Sequence, residues 1–157
     1  MKIGFGYDSH RFTQSRPLVL GGVVIPQSHG LEGHSDGDAL SHAIADSILG
    51  AIGAGDLGHY FPSSDSQWKD CKSLLLLKET IKIMAEDGFG IGNLDATIVC
   101  ERPRINPYRK QIISKLSETM EIDPKKLSIK SKSNDQMGWI GSEVGMAVYA
   151  VILLKSS

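Results

Sequence analysis

Residues 38–53 constrain this chain more than any other stretch. Leu40, Ala43, Ile44, Ile48, Ala51 and Ile52 recur at helical spacing and form one apolar stripe that another layer must cover. His42 lies on the opposite, polar side, with Asp38 and Asp46 one turn to either side. One face of this helix therefore serves a core, and the other presents an imidazole between two carboxylates. Ser35 and Asp38 resemble a capping box with Asp in the acidic place, which marks the helix start.

The rest of the chain supplies the covering layer. Residues 3–10, bounded by glycines, predict a first or edge strand. Leu18-Val19-Leu20 and Val23-Val24-Ile25, separated by Gly21-Gly22, predict a tight hairpin. Residues 27–37 and 56–70 read as polar loops. Helical spacing covers 73–85, and Pro107 suits the first residue of a helix running to about 121. Strands are expected over 95–100, 127–132 and 145–154. This order predicts a single α+β domain over 1–157, a two-layer sandwich of a mixed β-sheet with helices on one face, plus a small β-hairpin.

Charge balance narrows the partners. With 17 Lys plus Arg against 18 Asp plus Glu, no overall field recruits nucleic acid or an anionic membrane. An anionic ligand must be held by local groups. The apolar run at 146–154 is shorter than the ~20 residues a membrane helix needs, and the first residues read as a strand rather than a leader. Cys71 and Cys100 show no metal-ligand spacing, so reduced thiols in a cytoplasmic, bacterial-type protein are expected.

Several clusters carry candidate chemistry. In an extended segment Asp8 and His10 point to one face, roughly 6.6 Å apart at Cα. With His42 they form a two-His, one-carboxylate set, which leaves an open position and suits either catalytic zinc or non-haem iron(II). Without the fold, the same residues read equally well as solvated surface pairs. Asp46 is expected to accept the second ring N–H of His42. Gly33-His34-Ser35-Asp36-Gly37-Asp38 precedes the helix and is either a phosphate-binding N-terminus or a plain capped loop. Lys132-Ser133-Asn134-Asp135 combines a cation, a hydroxyl, an amide and a carboxylate, as a diphosphate site or a simple turn would.

The order of these clusters resembles the 2-C-methyl-D-erythritol 2,4-cyclodiphosphate synthase family. The resemblance is carried by Gly6-Tyr7-Asp8-Ser9-His10-Arg11-Phe12, by Leu20 to Pro26, and by His34-Ser35-Asp36-Gly37-Asp38 with His42 and Asp46. It continues through Gly55-Asp56-Leu57-Gly58, Phe61-Pro62 with Asp65, Asn93-Leu94-Asp95, Pro103 and Gly138. It implies a homotrimer with active sites between subunits, holding one zinc per chain and a second cation, magnesium or manganese, that bridges a diphosphate. The implied reaction converts 4-diphosphocytidyl-2-C-methyl-D-erythritol 2-phosphate to the cyclic 2,4-diphosphate and CMP.

By position, Asp8, His10 and His42 match zinc ligands, while His34 and Ser133 match stabilisers of the transition state. Asp135 matches the contact to the second cation. Asp56, with Leu57 and Gly58, matches the ribose contact, and Phe61, Pro62, Ser63, Ser64 and Asp65 match a segment covering the methylerythritol phosphate. Ser9 and Ser35, with Asp8, His10 and His34, are also expected to contact the substrate. Cys100, Glu101, Arg102, Pro103, Arg104, Ile105 and Asn106 match a cytosine pocket, and Lys132, Asn134 and Trp139 complete the expected substrate contacts.

The chain departs from the family in places. Lys132 and Ser133 stand where many members carry two threonines, and Asp135 stands for Glu. Ser142 and Val144 replace an Arg and a Glu, which removes any phosphate or isoprenoid contact attributed to that Arg. Two other readings of the same residues are a metal-dependent phosphohydrolase and a non-catalytic trimeric nucleotide-binding protein.

Overall fold

A computed structural model describes residues 1–26, 29–68 and 71–156. Residues 27–28 and 69–70, inside the two expected polar loops, lie outside the described residues, as does 157. Five strands form one sheet in the order β4-β1-β7-β5-β6. They are β1 (Lys2–Thr13), β4 (Gly30–Leu31), β5 (Phe89–Val99), β6 (Leu127–Lys132) and β7 (Gly145–Ser156). The β5–β6 pair is parallel and the other pairs are antiparallel, so the sheet is mixed. β2 (Leu18–Leu20) and β3 (Val23–Ile25) form the separate hairpin expected from Gly21-Gly22. Both glycines have positive φ, the conformation a tight hairpin turn demands.

Helix α1 (Ala39–Ile52) lies on β1 and β7, flanked by α3 (Ser73–Glu86), while α4 (Arg109–Met120) packs near β6. The stripe on α1 is buried, with Leu40, Ile44 and Ile48 fully inaccessible. Each such burial stabilises the fold by roughly 1.5–3 kcal/mol. Leu49 and Ala45 are buried too, because α3 covers a second side of α1.

The contact between α1 and β1 sets the geometry of the site. A Cβ on Gly4 would sit 1.8 Å from the Ser47 carbonyl oxygen, and one on Gly6 would sit 1.9 Å from that of Ala43. Helix backbone thus rests directly on strand backbone. Two strand residues advance roughly 6.6 Å and four helical residues roughly 6 Å, so the two elements stay in step as they run in opposite directions. Gly4, Gly6, Asp8 and His10 share one face of β1. The step that places Gly4 by Ser47 and Gly6 by Ala43 brings Asp8 beneath the first turn of α1, where His42 projects.

Several boundaries differ from the sequence reading. The strand expected at 95–100 starts at Phe89, because a bulge between Ile91 and Asn93 and glycines 90 and 92 conceal its alternation. Pro107 begins no long helix; Asn106–Tyr108 is a 3₁₀ turn, and α4 starts at Arg109. The 56–70 loop contains α2 (Leu57–Tyr60) and a 3₁₀ turn at Ser66–Trp68, while β4 and α5 (Gly138–Gly141) were not anticipated. Ser35 is not the cap of α1. Asp38 is, and its fully buried carboxylate accepts from Ser41 N–H, Ser41 Oγ and the N–H groups of Gly21 and Gly22 at 2.7–3.0 Å. Burial raises the Asp38 carboxyl pKa despite these bonds. The positive end of α1 therefore already holds an internal carboxylate, and that carboxylate locks the hairpin turn to the helix.

Candidate metal centre and flanking cavities

Asp8 is the hinge of the centre. Its Oδ2 lies 2.7 Å from His10 Nε2 and 3.1 Å from His42 Nδ1. The three candidate ligand atoms all fall within 4.8 Å of one another. Two neutral imidazole nitrogens and one carboxylate oxygen at that spacing fit a tetrahedral ion with one open position. The set also shows strong internal electrostatics. Burial pushes the Asp8 carboxyl upward, but the bonds and charges of His10 and His42 outweigh it and hold the pKa below its ordinary value. Burial opposes protonation of His42, yet Asp8 raises its pKa overall.

Beyond the ligands, the expected partner of His42 is corrected. Asp46 Oδ1 accepts from Leu57 N–H at 2.8 Å and ties α2 to α1. His42 Nε2 instead faces two hydroxyls, Ser73 Oγ at 2.8 Å and Ser35 Oγ at 3.1 Å. The Asp46 carboxylate is engaged by the first N–H of α2 rather than by the imidazole, so the helical spacing alone was misleading. Ser73 was missed because nothing local marks it; only the fold brings α3 to His42.

A cavity of about 510 Å³ opens beside the metal set. Ser9, His10, His34, Ser35, His42, Phe61 and Ser63 line it, together with Arg11, Glu32, Trp68 and Leu76, which the sequence reading did not select. Trp68 stacks edge-on against Phe61, with ring centroids 4.9 Å apart. Arg16 Nη1 donates to the Ser35 carbonyl at 2.5 Å and supports the loop from beneath. The other expected contacts of this half do not line the cavity. Asp56 caps α2 through His59 N–H, Leu57 is held by Asp46, and Asp65 caps the 3₁₀ turn through Gln67. Gly58, Pro62 and Ser64 are likewise absent from its wall.

A second cavity, of about 760 Å³, lies at the ends of β5 and β6. Cys100, Glu101, Pro103, Arg104, Ile105 and Asn106, named for the expected cytosine pocket, line it together with Lys132 and Ser133. Arg102 faces a neighbouring depression and sits 3.6 Å from Glu143. Glu101 Oε1 accepts from the N–H groups of Asn134 and Gln136, which holds Asp135 in a left-handed turn where Ser133 Oγ reaches its carboxylate at 3.2 Å. Trp139 stands exposed on α5. Burial, with the Glu101 charge, pushes the Cys100 thiol up to about 11.

The strand register shows how far apart the two cavities are. Ser9 pairs with Ala147, Ala147 with Val99, and Val99 with Lys132. Three strand spacings separate β1 from β6, roughly 14 Å. Asp8 and Ser133 of one chain therefore do not converge on one small diphosphate.

Fold and site define an α+β protein whose central helix completes a two-histidine, one-carboxylate metal set on the sheet beneath. Comparison with known proteins agrees with that description. Residues 1–155 match the YgbB family. A 2-C-methyl-D-erythritol 2,4-cyclodiphosphate synthase from Symbiobacterium thermophilum is 48% identical over 98% of each chain, and one from Thermosynechococcus vestitus is 47% identical over 99% of this chain and 97% of its own. The chain belongs to the YgbB family, that of the 2-C-methyl-D-erythritol 2,4-cyclodiphosphate synthases. Among solved structures, the bifunctional IspDF of Campylobacter jejuni superposes with a TM-score of 0.96 at 36% identity; the match covers 99% of this chain and 42% of that larger one. A CDP-bound synthase superposes with a TM-score of 0.91 at 33% identity, covering 98% of this chain and 100% of the other.

Proposed function

We propose that this chain converts 4-diphosphocytidyl-2-C-methyl-D-erythritol 2-phosphate to 2-C-methyl-D-erythritol 2,4-cyclodiphosphate, releasing CMP, in non-mevalonate isoprenoid biosynthesis. An oxygen of the 2-phosphate forms a bond to the β-phosphorus. The bond from that phosphorus to the bridging oxygen breaks, and CMP leaves with the electron pair. Nothing is oxidised, and no water is consumed. This makes the enzyme a phosphorus–oxygen lyase, and its work is positioning and charge stabilisation.

The observation that carries this reading is the convergence of Asp8, His10 and His42, whose two histidines line a cavity that also presents His34 and Ser35. A zinc ion held by that set would supply Lewis acidity toward the β-phosphate, and magnesium or manganese near Asp135 would offset diphosphate charge. The chain's own groups do the rest. His34 donates to the methylerythritol phosphate side, with Ser35 beside it on the wall, and Phe61 with Trp68 walls it from water. The Cys100–Pro107 cavity takes the cytosine, with Lys132 and Ser133 turned to the diphosphate.

Two observations support a homotrimer with shared sites. The two half-sites lie roughly 14 Å apart within one chain. The sheet face away from the helices also exposes Ile3, Phe5, Tyr7, Tyr149 and Val151, at 40–72% of their surface. A contiguous apolar sheet face of this kind is the signature of a protein–protein contact.

Incubation of purified protein with the diphosphocytidyl substrate and Mg²⁺ tests the reaction. Phosphorus NMR should show a cyclic diphosphate, and chromatography should show one CMP per turnover. An opened phosphate in place of the cyclic product would refute a cyclase and point to a phosphohydrolase.

A further inference from the structure

The hydrogens around His42 can be counted. Ser73 Oγ donates to Asp36 Oδ1 through a short bond, which commits its one hydrogen. Asp36 Oδ2 also accepts the Ser73 backbone N–H at 3.1 Å, so two bonds hold this serine at the start of α3. Ser73 Oγ then lies 2.8 Å from His42 Nε2 with no hydrogen of its own left to give. Two acceptors do not settle at that distance. The hydrogen between them must belong to Nε2.

Ser35 completes the inventory. Its Oγ accepts from Gly37 N–H at 3.4 Å and sits 3.2 Å from Ser73 Oγ, to which it can donate. Were Ser35 to give its hydrogen to His42 Nε2 instead, the shorter Ser73–His42 contact would hold no hydrogen at all. Ser73 is 1% exposed and Ser35 8%, so water does not compete for these positions. Hydrogen on Nε2 satisfies Ser73 and directs Nδ1 to Asp8 at 3.1 Å, where a bound ion would take the place of the proton the two share in its absence.

We infer that Asp36, acting through the Ser73 hydroxyl, is the positioning residue of the metal centre: the Asp36–Ser73 pair fixes His42 as the Nε2–H tautomer with Nδ1 free to bind the ion. A metal-bound imidazole is ordinarily oriented by a carboxylate or carbonyl on its other nitrogen. Here a hydroxyl stands between them and extends the reach of the carboxylate. Asp36 also accepts from Asp38 N–H at 3.2 Å, so the same carboxylate ties the His34–Asp38 loop and α3 to the metal ligand. This role rests on the reading of Asp8, His10 and His42 as a metal site.

The test measures metal binding and tautomer, independently of turnover. Zinc affinity is read by competition with a chromophoric chelator for the parent chain, Ser73→Ala, Asp36→Asn, their double variant and Ser73→Thr. Thermal midpoints of the metal-free forms check that each variant folds. Each single change should weaken zinc roughly ten- to a hundredfold. The double variant should be no weaker than Ser73→Ala, because the two groups act in series, and Ser73→Thr should restore binding by restoring the hydroxyl. Long-range proton–nitrogen correlation on the zinc-loaded parent should place the His42 hydrogen on Nε2, a result that needs no variant. Zinc affinity unchanged in Ser73→Ala, or an Nδ1–H tautomer in the loaded parent, would overturn the relay. A parent chain that binds no zinc would instead overturn the metal reading beneath it.

Discussion

The cavity beside the candidate metal set and the cavity at the ends of β5 and β6 sit at the same end of one sheet, yet they are built to different standards. Around His42, every polar atom discussed has a partner from the same chain, drawn from β1, the 33–38 loop, α1 and α3. Around Ser133, one Glu101 carboxylate holds an exposed turn, Asp135 is met only by the Ser133 hydroxyl in that turn, and Lys132 and Trp139 are exposed. The first region is preorganised by its own fold. The second is exposed, which suits the proposed completion by a neighbouring subunit. The difference also separates chemistry from recognition: a tetrahedral ion tolerates little displacement, whereas a nucleotide pocket can finish forming on assembly.

The largest effect should follow from striking the complete half. His42→Ala leaves two ligands, too few for a tetrahedral site. Elemental analysis should find zinc falling from one per chain to near none, with turnover falling further than the tenfold to hundredfold expected from losing an orienting partner. Retention of zinc would break the comparison at its stronger end. Next in size is subunit mixing. One variant altered at His42 and another at Ser133 should each be inactive, and exchange of their subunits should restore a fraction of the activity. No recovery after verified exchange would place both half-sites in one chain, against the sheet register.

How much was legible beforehand divides along the same line. The members of the ligand set were visible as local features, i and i+2 on a strand and an imidazole on the polar side of an amphipathic helix, but their joining into one set came from the family resemblance. The Gly21-Gly22 turn and the boundaries of β6 were local too. The error on Asp46 shows the limit. Helical spacing placed it one turn from His42, but the carboxylate was drawn away by the free N–H of Leu57, on the next element. Ser73 could not be found at all, since it reaches His42 only after α3 packs on α1. The partial start assigned to β5 has another cause, for its glycines serve close backbone approach, Gly92 to the Leu153 carbonyl oxygen at 3.0 Å from a built Cβ.

A smaller effect concerns the metal-free chain and acid–base balance at the complete half. Asp8 is depressed below its ordinary 3.8, so its stabilising contribution is present above that pH and is lost as pH falls through the lower native value. His42 is raised above 6.5, so its contribution is full below that pH and lost as pH rises through the higher native value. Both contribute in full only between 3.8 and 6.5. The thermal midpoint of metal-free protein should therefore decline as pH rises from about 6 to 8, and His42→Gln should flatten that decline. An equal slope in parent and variant would show that the pair contributes nothing without its ion.

The smallest expected effect probes the open half, where Lys132 and Ser133 line the cavity at the ends of β5 and β6. A lysine adds a charge that a threonine lacks, and charge-assisted hydrogen bonds to a diphosphate are stronger than neutral ones. If Lys132 shares the work of neutralising the diphosphate, Lys132→Thr should raise the magnesium concentration for half-maximal rate by a few-fold while leaving the maximal rate nearly intact. Asp135→Ala should nearly abolish the magnesium response, because Ser133 alone offers a hard cation only a neutral oxygen. The two variants sharpen the contrast between the regions: a preorganised site loses function outright when one group goes, while an open one compensates with a soluble cation. A Lys132→Thr enzyme with an unchanged magnesium requirement would reduce Lys132 to a solvated side chain on the rim.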